Sequence, residues 1–309
     1  MDNGLRPSAA PLAADGGLLA LLGPPGLPPA SPPVPEWLQG PGPQGHTGVV
    51  RWWHRNGLTW GEVNLPADDA SLAAHTTRAY LDVFDCIQAL GTPHLVRVWN
   101  VFPRITEALP DGQERYRAFN TARLEAFIRR GFDTGAGSPA ATCVGSHDGP
   151  LRLWFVASSQ AALPLENPRQ VPAWRYPSAY GPTPPTFCRG ALMPRPGSRP
   201  VLWLSGTASI VGHRSMHEGD VAEQTREIAR NLQALLAQAE AVGGQAWAPT
   251  QLHATAYVRR PEDAATVQAV WQACTHDPRP LTRVQADICR PELAVELEWV
   301  GLPLPPHGT

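Results

Sequence analysis

The most informative absence from this chain of 309 residues is lysine, because all 25 of its Lys-plus-Arg residues are arginine. A protein without lysine cannot hold a substrate as a Schiff base on a lysine amine, so that form of covalent catalysis is excluded. The formal net charge of −2 gives no overall basic field that would attract nucleic acid or an anionic membrane. We therefore expect neither a nucleic-acid partner nor a membrane partner.

Cysteine is also scarce, and its spacing argues against two common structural roles. An odd number of cysteines without a Cys-x-x-Cys pair indicates neither a disulfide framework nor a zinc site, and it suits a reducing cytoplasm. His213 and His217 lie close to Glu218-Gly-Asp220, but no third ligand stands at a suitable spacing, so we predict no metal site. The five cysteines are Cys86, Cys143, Cys188, Cys274 and Cys289.

Several familiar signatures are missing as well. The sequence contains no Gly-x-Ser-x-Gly, no Walker loop, no His-Glu-x-x-His and no dinucleotide-binding glycine motif between a strand and a helix. These absences argue against serine-hydrolase, nucleotide-binding and zinc-protease chemistry. No apolar run approaches the ~18 residues that a membrane-spanning helix needs. The apolar patch near the N-terminus lacks the basic flank of a secretory signal.

Composition divides the chain into four segments. With 43% hydrophobic and 17% charged residues it is typical of a globular protein, and its length suggests two domains. Residues 1–45 are rich in Pro, Gly and Ala and are predicted to form a flexible leader. We place a first domain at residues 46–160, a loop at residues 161–199 and a second domain at residues 200–309.

The same order of elements is predicted in both domains. In the first, two strands flank Asn56-Gly57, which is a strong signal for a β-hairpin, and a helix, a strand, a second helix and two strands follow. In the second, an early strand precedes a long helix from Asp220 to Val242, and then come a strand, a helix and the terminal strands. This recurrence predicts an α+β protein built from two copies of one unit.

The predicted loop at 161–199 combines prolines with aromatic rings and guanidinium groups. Its prolines exclude a regular helix or a central strand over most of its length. Long, rigid, aromatic loops inside compact proteins tend to carry function, so we favour a ligand-binding role over that of a plain connector. The ring and guanidinium residues are Trp174, Tyr176, Tyr180, Phe187, Arg169, Arg175 and Arg189.

Candidate chemistry is concentrated after residue 200. In the terminal strand, alternation places Glu296 and Glu298 opposite the apolar side chains. On pattern alone both carboxyls are expected in solvent on an open sheet face, whereas covering one would raise its pKa and suit it to general-acid chemistry. Cys289 is interpreted as a small buried residue and weak donor, since no neighbouring histidine or helix N-terminus indicates a thiolate. The Ser205–Ser209 turn offers N–H groups and hydroxyls that suit a carboxylate.

Several motifs resemble those of known families. The second domain resembles a YjgF/RidA unit at Ser205-Gly206, Gln224, Asn231-Leu232, Tyr257-Val-Arg259 and Val295-Glu-Leu-Glu298. Nearly everything after the leader is more similar to the chorismatases, through Glu114-Arg-Tyr-Arg-Ala-Phe-Asn120, the Arg175-Tyr-Pro-Ser-Ala-Tyr-Gly-Pro182 loop and Ser205-Gly-Thr-Ala-Ser-Ile-Val-Gly-His213. The resemblance implies two tandem YjgF/RidA-like (chorismate-mutase-like) α+β units, each a small mixed sheet with helices packed on one face. It leaves a homotrimer and a monomer open as oligomeric states.

The resemblance to chorismatases also implies an activity. The expected products are pyruvate and 3-hydroxybenzoate, with 4-hydroxybenzoate as a further product, and no cofactor is expected because nothing suggests a pterin or iron site. Glu296 is expected to protonate the enolpyruvyl ether, and a cysteine at the place of Cys289 is typical of hydroxybenzoate-forming members. The expected substrate-binding residues are Arg175, Tyr176, Tyr180, Arg189, Gly206, Thr207, Ala208 and Arg259.

Three alternatives stay open. A chorismate hydrolase would release a dihydroxycyclohexadiene carboxylate in place of an aromatic acid. An imine or enamine deaminase on the YjgF scaffold would need an arginine before the terminal strand, whereas Cys289 stands near that place and Arg290 is displaced from it. A non-catalytic ligand-binding module would keep the same clefts, and only turnover distinguishes it from an enzyme.

Overall fold

The structure, a computed structural model, describes residues 42–195 and 197–302. Residues 1–41 of the predicted leader lie outside the described residues. The last two residues of that predicted segment, 44 and 45, belong to the first strand, which therefore begins two residues before the predicted start of the first domain.

The first half of the described chain is a hairpin-led α+β unit. Its β-hairpin turns at Asn56 and Gly57, where φ is 49° and 71°. Positive φ at both central residues is the signature of a type I′ turn, so the sequence signal at Asn-Gly is confirmed. The elements are β1 (Gln44–Thr47), β2 (Val50–Arg55), β3 (Leu58–Leu65), α1 (Leu72–Ala89), β4 (His94–Pro103), α2 (Arg115–Arg129), β5 (Ala140–Ser146) and β6 (Leu151–Ser158).

The second half repeats this order with a longer first helix. That helix begins after Asp220, whose side chain accepts a hydrogen bond from the Glu223 N–H, and it ends at Gly244, where φ is 68°. The elements are β7 (Leu163–Leu165), β8 (Gly190–Met193), β9 (Val201–Ala208), β10 (Ile210–Val211), β11 (Arg214–Ser215), α3 (Val221–Gly243), β12 (Leu252–Val258), α4 (Ala264–Thr275), β13 (Thr282–Gln285), β14 (Asp287–Ile288) and β15 (Val295–Gly301).

Strand order confirms that the two halves are copies of one unit. The first sheet runs β1-β2-β3-β6-β4-β5-β14 and the second runs β13-β12-β15-β9-β8-β7. The segment β2-β3-β6-β4-β5 therefore corresponds to β8-β9-β15-β12-β13, and β4 pairs parallel with β5 as β12 does with β13. β7 and β8 belong to the second sheet, so the segment at 161–199, predicted as one loop, contains two strands with a long loop between them.

The molecule has four layers, with the two sheets packed face to face and a pair of helices outside each. Phe84 belongs to the core between α1, α2 and the first sheet, and Trp271 to the core between α3, α4 and the second. A third core lies between the sheets, where Trp99 and Trp203 meet edge to face with ring centroids 5.7 Å apart. This inter-sheet layer decides the environment of the functional residues.

Sheet-on-sheet packing overturns one expectation from the strand pattern. Glu296 and Glu298 do share the face opposite the apolar side chains, but that face is covered by the first sheet. Each residue is only 5% exposed. The expectation of two solvated carboxyls on an open face is therefore wrong, and both groups are buried in the inter-sheet layer.

Two general features of the described residues bear on function. No helix in the described ranges is both long and apolar enough to cross a membrane. Within the same ranges, no three His, Cys, Asp or Glu side chains are grouped so that they would hold a metal ion. His217 faces Glu227 with an Nε2–Oε2 distance of 3.4 Å, while His213 packs edge-on against Tyr180 with ring centroids 5.7 Å apart.

Candidate active site

A cavity of about 300 Å³ lies where the inter-sheet layer meets the loop between β7 and β8. Its floor is formed by Glu296, Gly206 and Ala208 of the second sheet, and Tyr176 and Tyr180 of the loop form one wall. Such a volume is within the range of small-molecule sites. The site is thus built from the terminal strand, the small-residue strand and the proline-rich loop, which the sequence had singled out separately.

Glu296 is positioned by the centre of the second sheet. On β15 it pairs with Ala208 of β9 on one side and with Tyr257 of β12 on the other. Burial and, second, the neighbouring Glu298 raise the pKa of Glu296 to about 8, while Arg97 acts in the opposite direction. A carboxyl with that pKa carries its proton at neutral pH, so it can act as a general acid.

Gly206 leaves room for the carboxyl of Glu296. A Cβ atom at this position would overlap the Oε1 atom of Glu296, so any larger residue would displace the carboxyl. The Gly206 N–H donates to Thr142 Oγ1 at 3.0 Å, which fixes β9 against β5 of the other sheet. Glycine is therefore needed at position 206 because the carboxyl of Glu296 approaches its Cα closely, and not because of an unusual φ.

The hydroxyls around Gly206 serve the fold. Ser205 Oγ donates to the Cys188 carbonyl at 2.6 Å, Thr207 Oγ1 donates to the Ser205 carbonyl at 3.0 Å, and Ser209 Oγ donates to the Met216 carbonyl at 3.0 Å. Thr207 is also absent from the lining of the cavity among the described residues. The expectation that these hydroxyls hold a carboxylate is not supported by their contacts.

Cys289 follows β14 and lines the cavity beside Glu296. Because β14 pairs with β5, the second half of the chain brings this thiol up to the first sheet. Burial and, second, the negative field of Glu296 raise the pKa of Cys289 to about 12. The thiol therefore stays protonated, which does not suit it to act as a nucleophile. Its role as a weak hydrogen-bond donor stays a prediction.

Two of the three arginines that line the cavity, Arg189 and Arg290, stack on its aromatic rings. Arg189 donates from Nη2 to the Tyr176 hydroxyl at 2.7 Å, and its guanidinium carbon lies 4.9 Å from the centroid of Phe187. Arg290 donates from Nη1 to the His213 carbonyl at 2.9 Å, and its guanidinium carbon lies 4.1 Å from the centroid of Tyr180. Arginines stacked on rings keep further N–H groups for a carboxylate.

Two other predicted arginines have different positions. Arg259 donates to Asp287 Oδ1 at 2.7 Å and to the carbonyls of Ile288, Arg290 and Leu293 at 3.0–3.1 Å. It therefore fixes the loop that carries Cys289 and has little capacity left for substrate. Arg175 is exposed and does not belong to the lining among the described residues. Arg290, which stands one residue after Cys289 in the sequence, does line the cavity.

A smaller inner chamber of about 40 Å³ continues behind the floor. It shares Glu296 and Cys289 with the outer cavity and adds Arg123 and Asn120 from α2. Arg123 is 2% exposed, yet its Nε and Nη2 atoms have no hydrogen-bond partner. Its guanidinium carbon lies 5.1 Å from the ring centroid of Tyr80.

Arg123 was missed in the sequence although a signal for it existed. It lies three residues after Asn120, so both residues occupy the same face of α2. Most of the residues that α2 buries are apolar, among them Phe119, Ala126 and Phe127. A basic residue on the buried face of an amphipathic helix is rare unless it is paired, and such a residue is a candidate functional group.

Comparison with known proteins identifies relatives of this chain. A sequence profile described as "Chorismatase FkbO/Hyg5-like, N-terminal" matches residues 37–157. A chorismatase from Streptomyces rapamycinicus is 36% identical over 270 residues, which cover 85% of this chain and 80% of that protein. A 3-hydroxybenzoate synthase from Streptomyces hygroscopicus is 33% identical over 235 residues, covering 73% and 68%. A crystal structure of a chorismatase matches with a TM-score of 0.80 and 32% identity, covering 85% of this chain and 80% of the other.

Proposed function

This chain belongs to the chorismatase family, and from that premise we propose that it cleaves chorismate to pyruvate and 3-hydroxybenzoate. The observation that carries the proposal is the position of Glu296, a buried carboxyl with a pKa raised to about 8 at the junction of two chambers that each contain an arginine. The identity to a 3-hydroxybenzoate synthase and the presence of Cys289 beside the acid support the aromatic product.

Chorismate has two carboxylates, one on the ring and one on the enolpyruvyl side chain. The inner chamber, at about 40 Å³, is much smaller than the outer cavity of about 300 Å³, so the enolpyruvyl carboxylate suits it better than the ring does. We therefore place the enolpyruvyl carboxylate against Arg123. The ring then lies in the outer cavity beside Tyr176 and Tyr180, and its carboxylate meets Arg189 and Arg290.

This placement puts the methylene carbon of the side chain at the junction, next to Glu296. Glu296 gives its proton to that carbon, and positive charge develops on the adjacent carbon and ether oxygen. The ether bond to the ring then breaks, pyruvate leaves and the ring is left as a cation. The oxygen of the neighbouring ring hydroxyl moves to the carbon that carried the ether, and loss of one ring proton, which replaces the proton given by Glu296, completes 3-hydroxybenzoate. One chorismate contains together the atoms of one pyruvate and one 3-hydroxybenzoate, so aromatisation needs no oxidant, reductant or net water, whereas the hydrolytic alternative consumes one water.

The test is incubation of the purified protein with chorismate, without added metal or pterin, followed by chromatography of pyruvate and ring products. Enzyme-dependent pyruvate with 3-hydroxybenzoate is expected, and any 4-hydroxybenzoate would be quantified in the same run. Release of pyruvate together with the dihydroxycyclohexadiene carboxylate would support chorismate cleavage but contradict the proposed aromatic product. Recovery of intact chorismate would reject the proposal in favour of an imine hydrolase or a binding module.

The Cys289→Ala variant is expected to shift the product from 3-hydroxybenzoate towards the dihydroxycyclohexadiene carboxylate. Loss of the thiol removes a donor beside Glu296 and leaves space for water, which favours hydrolytic capture. The ratio of the two ring products measures the shift. Cys274→Ala on α4, outside the site, is the matched control. An unchanged ratio in the Cys289 variant would contradict the role assigned to the thiol.

A further inference from the structure

Glu298 is the most strongly fixed carboxylate in the inter-sheet layer. Its Oε2 accepts from Arg97 Nη2 and from Thr142 Oγ1, both at 2.5 Å, and its Oε1 accepts from Trp99 Nε1 at 2.9 Å. All three donors belong to the first sheet, and the side chains of Arg97 and Glu298 are 1% and 7% exposed. These three donors, one of which is a guanidinium, hold the Glu298 carboxylate in a single orientation.

The network around Glu298 reaches Glu296 by two routes. Both side chains leave the same face of β15 two residues apart, so they are neighbours along the strand. Thr142 Oγ1, which donates to Glu298, also accepts from the N–H of Gly206 at 3.0 Å, and Gly206 is the residue packed against the carboxyl of Glu296. Glu298 lines neither the outer cavity nor the inner chamber, among the described residues, so substrate in those chambers does not touch it.

We propose that Glu298 is a positioning residue for the reaction, which holds the proton on Glu296 without contacting the substrate. The inference rests on the proposed function, because it assigns the protonated form of Glu296 to catalysis. Its physical basis is that a fixed negative charge on the same strand face opposes a second negative charge beside it.

The other groups around Glu296 show why this anion matters. Burial raises the pKa values of Tyr116, Cys143 and Tyr257 well above their usual range, and that of Cys289 to about 12, so these groups are neutral. Arg97 and Arg189 favour ionised Glu296, and Arg123 adds a third guanidinium at the inner chamber. Four further charged groups, Glu114, Arg117, Arg290 and Glu292, line the same cavity. Without Glu298, the charges next to the acid would be mainly positive.

The test compares Glu298→Gln with the double variant Arg97→Gln/Glu298→Gln. In the single variant, Arg97 loses its partner and its charge acts unopposed on Glu296. We expect the alkaline limb of the kcat profile to move down by about one pH unit or more, the usual effect of a nearby opposite charge on a carboxyl. In the double variant both charges are gone, so we expect a smaller downward shift. Glu298→Asp, which keeps the charge, is expected to restore most of the wild-type profile.

A folded Glu298→Gln variant with the wild-type alkaline limb would overturn the inference. An unpaired buried guanidinium threatens folding, so melting curves come first. Should the single variant not fold, the double variant leaves no unpaired charge and carries the test. A wild-type limb in that variant would overturn the inference as well.

A second readout separates this inference from the proposed reaction, because it needs no turnover. The pH dependence of Tm is compared between the wild type and Glu296→Gln, and then between Glu298→Gln and Glu296→Gln/Glu298→Gln. Within each pair, the two curves of Tm against pH differ only by the contribution of Glu296. The pH range over which their difference changes therefore reports where Glu296 loses its proton. We expect the difference in Tm between the two proteins of a pair to change up to a higher pH when Glu298 is present. Equal behaviour in both pairs would reject the role of Glu298 even if chorismate is cleaved.

Discussion

Replacement of Glu296 by glutamine is expected to abolish pyruvate release from chorismate while the fold remains intact. The glutamine amide has nearly the same shape but no proton to give to the methylene carbon. General-acid catalysis contributes about 10²–10⁴-fold to a rate, and we expect a loss of at least that size. A coupled pyruvate assay measures it. Glu240→Gln, on the exposed face of α3, is the matched control and should keep wild-type activity.

The same variant has a predicted pH signature in stability. The pKa of Glu296 rises from 4.5 to about 8 on folding, so between these values the folded state binds more protons than the unfolded state. Stability of the wild type must therefore fall as pH rises through this window, and this contribution is absent from Glu296→Gln. The variant should gain Tm relative to the wild type between pH 5 and pH 9. Wild-type pyruvate release by the folded variant would remove Glu296 as the acid.

The fold was largely predictable because its signals are local. The Asn56-Gly57 turn, the cap at Asp220 and the stop at Gly244 each depend on the conformational preference of a few neighbouring residues. Element order then revealed the repeat, even though the two halves share little sequence. The strands β7 and β8 were missed, because short strands at the ends of a proline-rich segment carry too little pattern to be recognised.

The covering of the Glu296 face could not be read from the strand itself. Alternation assigns side chains to two faces, but it does not say which face meets another sheet. In this protein both faces are buried, one under α3 and α4 and the other against the first sheet. The partners of Glu298, namely Arg97, Trp99 and Thr142, lie about 150–200 positions away in the chain, and only the tertiary structure brings them together.

The roles of the arginines could not be predicted from the sequence for the same reason. The sequence does not show whether an arginine has hydrogen-bond acceptors around it. Arg259 donates to four acceptors between Asp287 and Leu293. Arg123, in contrast, lies within a helix and has two side-chain nitrogen atoms without a hydrogen-bond partner. What distinguishes a structural from a functional arginine is the number of acceptors left around it. That number depends on packing between elements that are remote in sequence.

Arg123 provides the second large effect. A buried cation that lacks an anionic partner among the described residues costs stability, and a substrate carboxylate would remove that cost on binding. Arg123→Met should therefore raise the KM for chorismate and also raise Tm. Hydrogen bonds to charged groups contribute about 1.5–3 kcal/mol, which corresponds to a roughly ten- to hundred-fold weaker interaction.

Arg115→Met on the same helix is the matched control, because Arg115 is equally buried but is paired with Asp69. Its loss leaves Asp69 with only Arg104 as a guanidinium partner and removes the donor to the buried carbonyls of Ala67 and Pro103, so we expect a lower Tm and a KM close to that of the wild type. Opposite signs in Tm for the two arginines would show that the uncompensated charge at the inner chamber is kept for the substrate and not for the fold. A lower Tm with an unchanged KM in Arg123→Met would instead make Arg123 structural and leave the enolpyruvyl carboxylate without its proposed partner.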